Sequence, residues 1–303
     1  MTEIKNVAVV GGGLMGAGIA QVFAVAGYRV TVFEPAEDAR RSLRGRVAET
    51  LEFLGQDASV TDNIDVTDDL GVAAAGADFV TEAAPEKLEL KQSIFRDLER
   101  LVPATCILAS NTSVIPITKI TQGLKTGHRM VGTHWWNPPY LIPLVEVVQA
   151  ASTDDVTLAL TMDLLTYVGK EPAHVKKDVP GFVANRLQHA LWREAIAMVA
   201  EGICDAETLD RCVKNSFGLR LPVLGPLENA DMVGLDLTLD IHKTMIPELD
   251  RSAGPHPFLE ERVKTGKLGF KSGEGFQTWT EAERESLREQ LNSHLVRAQS
   301  SRT

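Results

Sequence analysis

In the first half of the chain, apolar residues fall in short runs separated by stretches with helical spacing. Lys5 to Val10 reads as a β-run, GGGLMGAG punctuates it, and IAQVFAVAG carries helical spacing that stops at Gly27. YRVTVFE follows as a second strand, and Arg40 to Leu54 reads as a longer helix inserted after it. The order then recurs: ADFVTEAA predicts a strand, LKQSIFRDLERLV a helix, and TCILAS and RMVGTHW two further strands. Strands alternating with helices predict an α/β fold with a doubly wound parallel sheet.

Near residue 180 the pattern changes. DVPGF, Asp178 to Phe182, carries a Pro-Gly break, and from Ala184 to about Asp250 the apolar spacing is helical with little strand signal. In ANRLQHALWREAIAMVAEG, Leu187, Leu191, Ala195, Met198 and Val199 tend to one face, suited either to the domain's own core or to a dimer interface. The expected organisation is therefore an α/β domain over 1–180 and an all-helical domain over 181–303. The tail after Thr280 reads as an exposed helix fraying into a polar end.

A length of 303 residues suits two such domains. The formal net charge of -10 gives nucleic acid or an anionic membrane no general attraction, so a small-molecule substrate is the better expectation. Three cysteines without CxxC spacing argue against a disulfide framework or a structural zinc, and for a reducing compartment. No apolar run reaches the roughly 18 residues of a membrane span. MTEIKNVAVV lacks a signal-peptide layout, so a cytoplasmic location is expected.

The glycine punctuation has its own chemistry. Gly11, Gly13 and Gly16 form GxGxxG between a strand and a helix, with Leu14 and Met15 inside the same turn. The first glycine permits the tight turn, the second lets backbone approach a pyrophosphate, and the third allows close helix packing. Glu34 ends the next strand, eighteen residues beyond Gly16, where a carboxylate accepts from a ribose hydroxyl and repels a 2'-phosphate. NAD is the expected cofactor in a Rossmann domain, with Arg40 and Arg41 the features that would suit NADP.

Further on, GTHWWNPPYLIPLVEVV places a single carboxylate, Glu146, inside an apolar run. Burying it unpaired is costly, and His134, twelve residues upstream at a strand end, is the nearest partner. A hydride transfer from an alcohol needs a base for the hydroxyl proton; histidine titrates in the right range, and a carboxylate on its other nitrogen fixes the tautomer. Ser113 lies just past another strand end, in LASNTS.

Taken in order, VVGGGLMGAGIAQ, ASNTS, GTHWWNPP with LVEVV, KKDVPGFVANRL and GKLGFKSGEGF resemble the L-3-hydroxyacyl-CoA dehydrogenase family over nearly the whole chain. The resemblance implies a Rossmann domain followed by a helical domain that forms a homodimer. It implies His134 as base, Glu146 as its partner, and Ser113 and Asn185 as contacts to the substrate oxygen. Asn137 is implied at the junction of cofactor and substrate, and Glu86 and Lys91 at the cofactor, although Lys91 also suits a solvated helix position.

Two features depart from the CoA-using pattern. Where those members carry lysines on the helical arm, this chain has RVAETLEFLGQDAS, with Glu49, Glu52 and Asp57 and no lysine, which opposes a polyphosphate. Trp135 and Trp136 also replace two phenylalanines. They either present an indole face to a substrate cation or ring, or pack beneath the loop. HWWNPP, IPLVEV, ALWREA, NRLQ and GPLE look most like the non-CoA branch: carnitine dehydrogenase, L-gulonate 3-dehydrogenase with lambda-crystallin, and a pyridine-aldehyde dehydrogenase of vitamin B6 breakdown. The expectation is an NAD-dependent oxidoreductase acting on the secondary alcohol of a small β-hydroxy acid. The alternatives are a short-chain 3-hydroxybutyryl-CoA dehydrogenase and an NAD-binding protein with a structural role.

Overall fold

A computed structural model describes residues 4–300. Two compact units emerge: the chain through Asn185 together with the stretch from Asn292 on, and Arg186–Leu291. The strands of the first unit are β1 (Asn6–Val10), β2 (Arg29–Phe33), β3 (Ile64–Thr67), β4 (Phe79–Glu82), β5 (Ile107–Ser110), β6 (Met130–Trp135), β7 (Leu144–Val148) and β8 (Glu171–Val175). They make one sheet in the order β3-β2-β1-β4-β5-β6-β7-β8. Its helices are α1 (Leu14–Val25), α2 (Glu37–Phe53), α3 (Leu70–Ala74), α4 (Leu88–Leu101), α5 (Ile117–Ile120) and α6 (Asp155–Tyr167).

Each strand alternates its side chains between two apolar layers. Val7 and Val9 join Ile19, Phe23 and Leu43 on one face, while Ala8 and Val10 join Phe95, Leu98 and Ile117 on the other. Burial on both faces is what a sheet flanked by crossover helices requires. The helix α1 packs Ile19, Ala20, Phe23 and Ala24 inward and is followed by Gly27 at φ +90°. The strands β3 and β8 and the helices α3, α5 and α6 are additions to the elements expected from the sequence.

The expectation of a parallel sheet needs one correction. From β3 through β6 the neighbours are parallel, but β7 runs antiparallel to β6. The connection, Trp136 to Pro143, has eight residues. A parallel return needs a crossover of about a dozen or more, so the chain has to double back. A longer connection holding α6 then lets β8 run parallel to β7.

The second unit continues the helix α7 (Ala184–Ala200) into α8 (Ala206–Lys214), α9 (Pro226–Val233), α10 (Leu235–Met245) and α11 (Pro257–Lys264), and includes the start of α12 (Glu281–Ser300). Between α11 and α12 it carries two isolated β-bridges, Gly269 to Glu274 and Glu274 to Thr278. On α7 only Ala197 is buried among the described residues, whereas Leu187 and Leu191 are exposed. The helical tail persists to Ser300, and its expected frayed end lies outside the described residues.

Candidate active site

The turn from β1 into α1 is shaped by its glycines. Gly11 sits at φ +104°, where a Cβ would also meet the Ala83 carbonyl oxygen at 2.8 Å. A Cβ at Gly16 would lie 1.7 Å from the Gly11 oxygen, so only glycine lets the helix start pack on the turn. Around Gly13, by contrast, a Cβ would meet nothing within 4 Å. No side chain caps α1 at Gly13, and Leu14 beside it is exposed while Met15 is half-buried. Uncapped first-turn amides facing open space form a cradle for an anionic pyrophosphate.

Glu34, at the end of β2, closes this cradle. Its carboxylate accepts from the Gly12 N–H at 2.7 Å and the Ala36 N–H at 2.9 Å. Arg40 is held by Asp68 at 3.1 Å and donates to the Glu34 and Pro35 carbonyls, and Arg41 pairs with Glu37. Both arginines therefore have acidic partners, and the carboxylate nearest the turn is fixed by backbone. The residues fit a dinucleotide bearing a free ribose hydroxyl.

The antiparallel turn builds the second half of the site. In the β6–β7 register His134 stands directly opposite Glu146. The His134 Nδ1 lies 2.8 Å from Glu146 Oε2, and both residues are buried. The other carboxylate oxygen, Oε1, accepts from the Val183 N–H at 2.9 Å and the Ala184 N–H at 3.0 Å, at the start of α7. The chain reaches that helix through Gly181 at φ +73° and Phe182 at φ +51°, a left-handed conformation rare for a bulky residue. Phe182 is buried with its ring 5.7 Å from that of His134. The turn therefore both presents two amides to Glu146 and walls the imidazole.

Burial pushes the Glu146 carboxyl up, but the hydrogen bonds from His134, Ala184 and Val183 and the attraction of the imidazole outweigh it, and the net shift is down. A carboxylate at Oε2 requires a proton on Nδ1. In the neutral imidazole Nε2 is then the unprotonated nitrogen, and the bond recorded for the ring among the described residues is the one at Nδ1. The arrangement holds a proton acceptor in one tautomer.

Ser113 and Asn185 are brought together: the Asn185 Nδ2 donates to the Ser113 carbonyl oxygen at 3.0 Å, and Ser113 is exposed. The loop carrying Ser113 is pinned by Glu86, whose Oε1 accepts from the Thr112 hydroxyl at 2.6 Å and from the Ser113 and Val114 N–H groups at 3.0 Å each.

Two family descriptions match this sequence. Residues 6–179 match the 3-hydroxyacyl-CoA dehydrogenase NAD binding domain, and residues 181–279 the C-terminal domain of the same family. The chain belongs to the 3-hydroxyacyl-CoA dehydrogenase family. It is an NAD-dependent oxidoreductase of that family. It is 38% identical over 298 residues to 5-formyl-3-hydroxy-2-methylpyridine 4-carboxylate 5-dehydrogenase of Mesorhizobium japonicum, covering 97% of this chain and 96% of that protein. It is 41% identical over 236 residues to L-carnitine dehydrogenase of Streptomyces coelicolor, covering 77% and 74%. A solved structure of the pyridine-carboxylate enzyme, described as an NAD+-dependent dismutase, superposes with a TM-score of 0.90 at 36% identity and covers 97% of each chain.

Within this family member, other expected site residues fall in distinct places. Trp135 lies in the core, with its ring 5.9 Å from Phe23, whereas Trp136 is half-buried with its ring 5.4 Å from His134. Alternation explains the split, since residue 136 shares the parity of His134 and residue 135 does not. Trp135 is thus packed away from the face that His134 occupies, against the expectation that it touches substrate. Asn137 is exposed in the loop that follows. Lys91 is fully buried rather than solvated, bonded to Glu82 at 2.7 Å and within 3.3 Å of Glu86. Glu82 in turn accepts from the Ser110 hydroxyl at 2.6 Å and the Ala84 N–H at 2.7 Å.

Sequence reasoning missed three supports. Asn111 accepts from the Trp135 N–H at 2.9 Å, tying the β5 loop to the end of β6. Asp178 accepts from the Ile117 and Thr118 N–H groups at 3.0 and 2.7 Å, fixing the segment beyond Ser113. Lys170 reaches the loop after His134. The partners are distant in sequence, so no local motif marks them.

Proposed function

We propose that the enzyme interconverts the secondary alcohol of a small β-hydroxy acid and the corresponding ketone, with His134 as the acid-base group. The observation that carries this reading is the buried His134–Glu146 pair at 2.8 Å, which leaves Nε2 available. Bound NAD supplies the acceptor for the hydride that leaves the carbinol carbon. As the C–O bond becomes a carbonyl, the hydroxyl proton passes to His134 Nε2, and Glu146 balances the imidazolium that forms. Ser113 and Asn185 hold the substrate oxygen, and Trp136 and Asn137 line its approach. Gly11, Gly13, Leu14, Met15, Gly16, Glu34, Glu86 and Lys91 form or brace the cofactor side.

A free acid suits the chain better than a CoA thioester. Glu49 and Glu52 on α2 and Asp57 just beyond it are exposed. The nearby arginines are already engaged, Arg44 by Asp65 and Arg46 by the Gly12 carbonyl. A polyphosphate approaching this arm meets three exposed carboxylates. The names of the two relatives, a pyridine carboxylate dehydrogenase and a carnitine dehydrogenase, support the same reading.

Residues 1–180 are read as the NAD-binding domain and 181–303 as the substrate and dimerisation domain. Support for a homodimer comes from large apolar side chains exposed on the second unit, among them Leu219, Val223, Leu227 and Leu235. Among the described residues, no helix is long and apolar enough to cross a membrane, and the cytoplasm is the proposed location.

The test is a panel of carnitine, gulonate, pyridine aldehydes and acetoacetyl-CoA followed by NADH absorbance. Turnover is expected on free acids, with acetoacetyl-CoA poorer. The His134→Ala enzyme is expected to lose turnover by about 10³-fold or more while still binding NADH. Near-wild-type turnover by that variant would overturn the mechanism, and preference for acetoacetyl-CoA would overturn the substrate class.

A further inference from the structure

Lys170, between α6 and β8, is a buried lysine with no carboxylate partner among the described residues. The residue is 7% exposed, and among the described residues burial alone, with no neighbouring acid, perturbs its ammonium. The Nζ donates instead to the Pro139 carbonyl and to the Ile142 carbonyl at 3.2 Å, and it stands 5.6 Å over the Trp135 ring. Burying an ammonium against two carbonyls and an indole face is costly, and burial alone lowers its pKa to about 8. Such a group calls for a reason beyond packing.

The reason lies in the loop it grips. Trp136 to Pro143 carries Asn137 and follows directly from His134, and three of its eight residues are prolines without an N–H to donate. Leu141 and Ile142 turn back onto the Pro138 carbonyl, which uses two of the remaining donors inside the loop. The Pro139 and Ile142 carbonyls go to Lys170, and the Pro143 carbonyl to the Glu171 N–H at 2.9 Å. The entry to β8 therefore supplies the donors that the loop lacks. On the opposite side Pro139 lies against α1, where a Cβ at Gly18 would come within 3.0 Å of the proline ring, and Trp135 packs on Phe23 of the same helix. The loop is held between Lys170 and the helix that follows the glycine turn.

We infer that Lys170 is a positioning residue, clamping the loop after His134 so that Asn137 and His134 keep a fixed place relative to α1. The inference rests on the proposed reaction, because it assigns Lys170 a role in that reaction's geometry. A neutral amine keeps two protons, enough for both carbonyls, so the clamp works on either side of the lysine's titration.

The test compares wild type, Lys170→Met and His134→Ala, each checked for native circular dichroism, on whichever substrate of the panel is turned over. Misplacement of reacting groups by about 1 Å costs about 10²-fold. Lys170→Met is accordingly expected to lower kcat by about 10- to 100-fold, with KM and the Kd for NADH changing by less than about threefold. A purely structural role would lower Tm and leave kcat of the folded enzyme alone. If Lys170→Met does not fold, Gly18→Ala moves Pro139 from the α1 side and should lower kcat at least about threefold, with NADH affinity held. A kcat within twofold of wild type in the folded variant overturns the inference. Failure of the proposed reaction itself shows separately, as retained turnover in His134→Ala.

Discussion

Replacing Glu146 by glutamine changes the charge while keeping the shape. Oε1 accepts two backbone N–H groups, from Val183 and Ala184, so the amide oxygen of the variant stays there and its NH2 is forced toward His134. At 2.8 Å from Nδ1, that NH2 needs an acceptor, and the imidazole answers by moving its proton to Nε2. The nitrogen proposed to take the hydroxyl proton is then already occupied. Returning to the active tautomer sets two donors against each other. The imidazolium formed in the reaction also loses a charge-assisted bond, itself worth about 1.5–3 kcal/mol. Together with the opposed donors, the expected rise in the barrier is about 4–6 kcal/mol, or about 10³- to 10⁴-fold in kcat. The carboxylate-to-amide exchange beside a catalytic histidine in serine proteases costs about 10⁴-fold, which sets the same scale. Steady-state NADH absorbance at saturating substrate reads kcat, and fluorescence titration reads NADH affinity, expected within about twofold of wild type because the cofactor cradle is untouched. Turnover within about tenfold of wild type in the folded variant would refute the idea that Glu146 sets the tautomer.

Two further outcomes test other parts of the site. Glu34→Arg removes the carboxylate held by Gly12 and Ala36 and adds a cation, so the ratio of kcat/KM for NAD over NADP should fall by at least about 100-fold; an unchanged ratio would remove Glu34 from cofactor selection. Lys170 titrates near 8 in the folded chain and at its ordinary 10.5 when unfolded. Below pH 8 both states are protonated and the cost of the buried charge is fully present. Between about pH 8 and 10.5 the unfolded chain holds the extra proton, so stability rises with pH. A shift of that size corresponds to about 3 kcal/mol, and urea unfolding from pH 7.5 to 10 should show wild type gaining on Lys170→Met; parallel curves would contradict it.

The βαβ start was legible because each of its parts has a local signature: the apolar run, the glycine spacing and the helical period occur together within Asn6 to Phe33. The direction of β7 has no signature in its own residues. LVEVV reads as a strand in either direction, and only the short, proline-rich connection excludes a parallel return. Lys91 shows the same kind of oversight. On α4 it shares one buried face with Phe95 and Leu98, four and seven residues on, so the spacing already placed a lysine on the core side. Its partner Glu82 is in a different element, and charge alone suggested solvent.

The site divides along a similar line. His134 and Glu146 were found because an isolated carboxylate in an apolar run demands a partner, and that demand is visible in one dimension. What tunes the pair is not. The amides of Val183 and Ala184 occupy the carboxylate oxygen that His134 does not touch, and so fix its orientation. With Oε1 held by the start of α7, only Oε2 is left for the imidazole, and its Nδ1 must carry the proton. That division of one carboxylate between an imidazole and a helix end depends on Phe182 taking φ +51°, a conformation that the letters GFVAN do not announce.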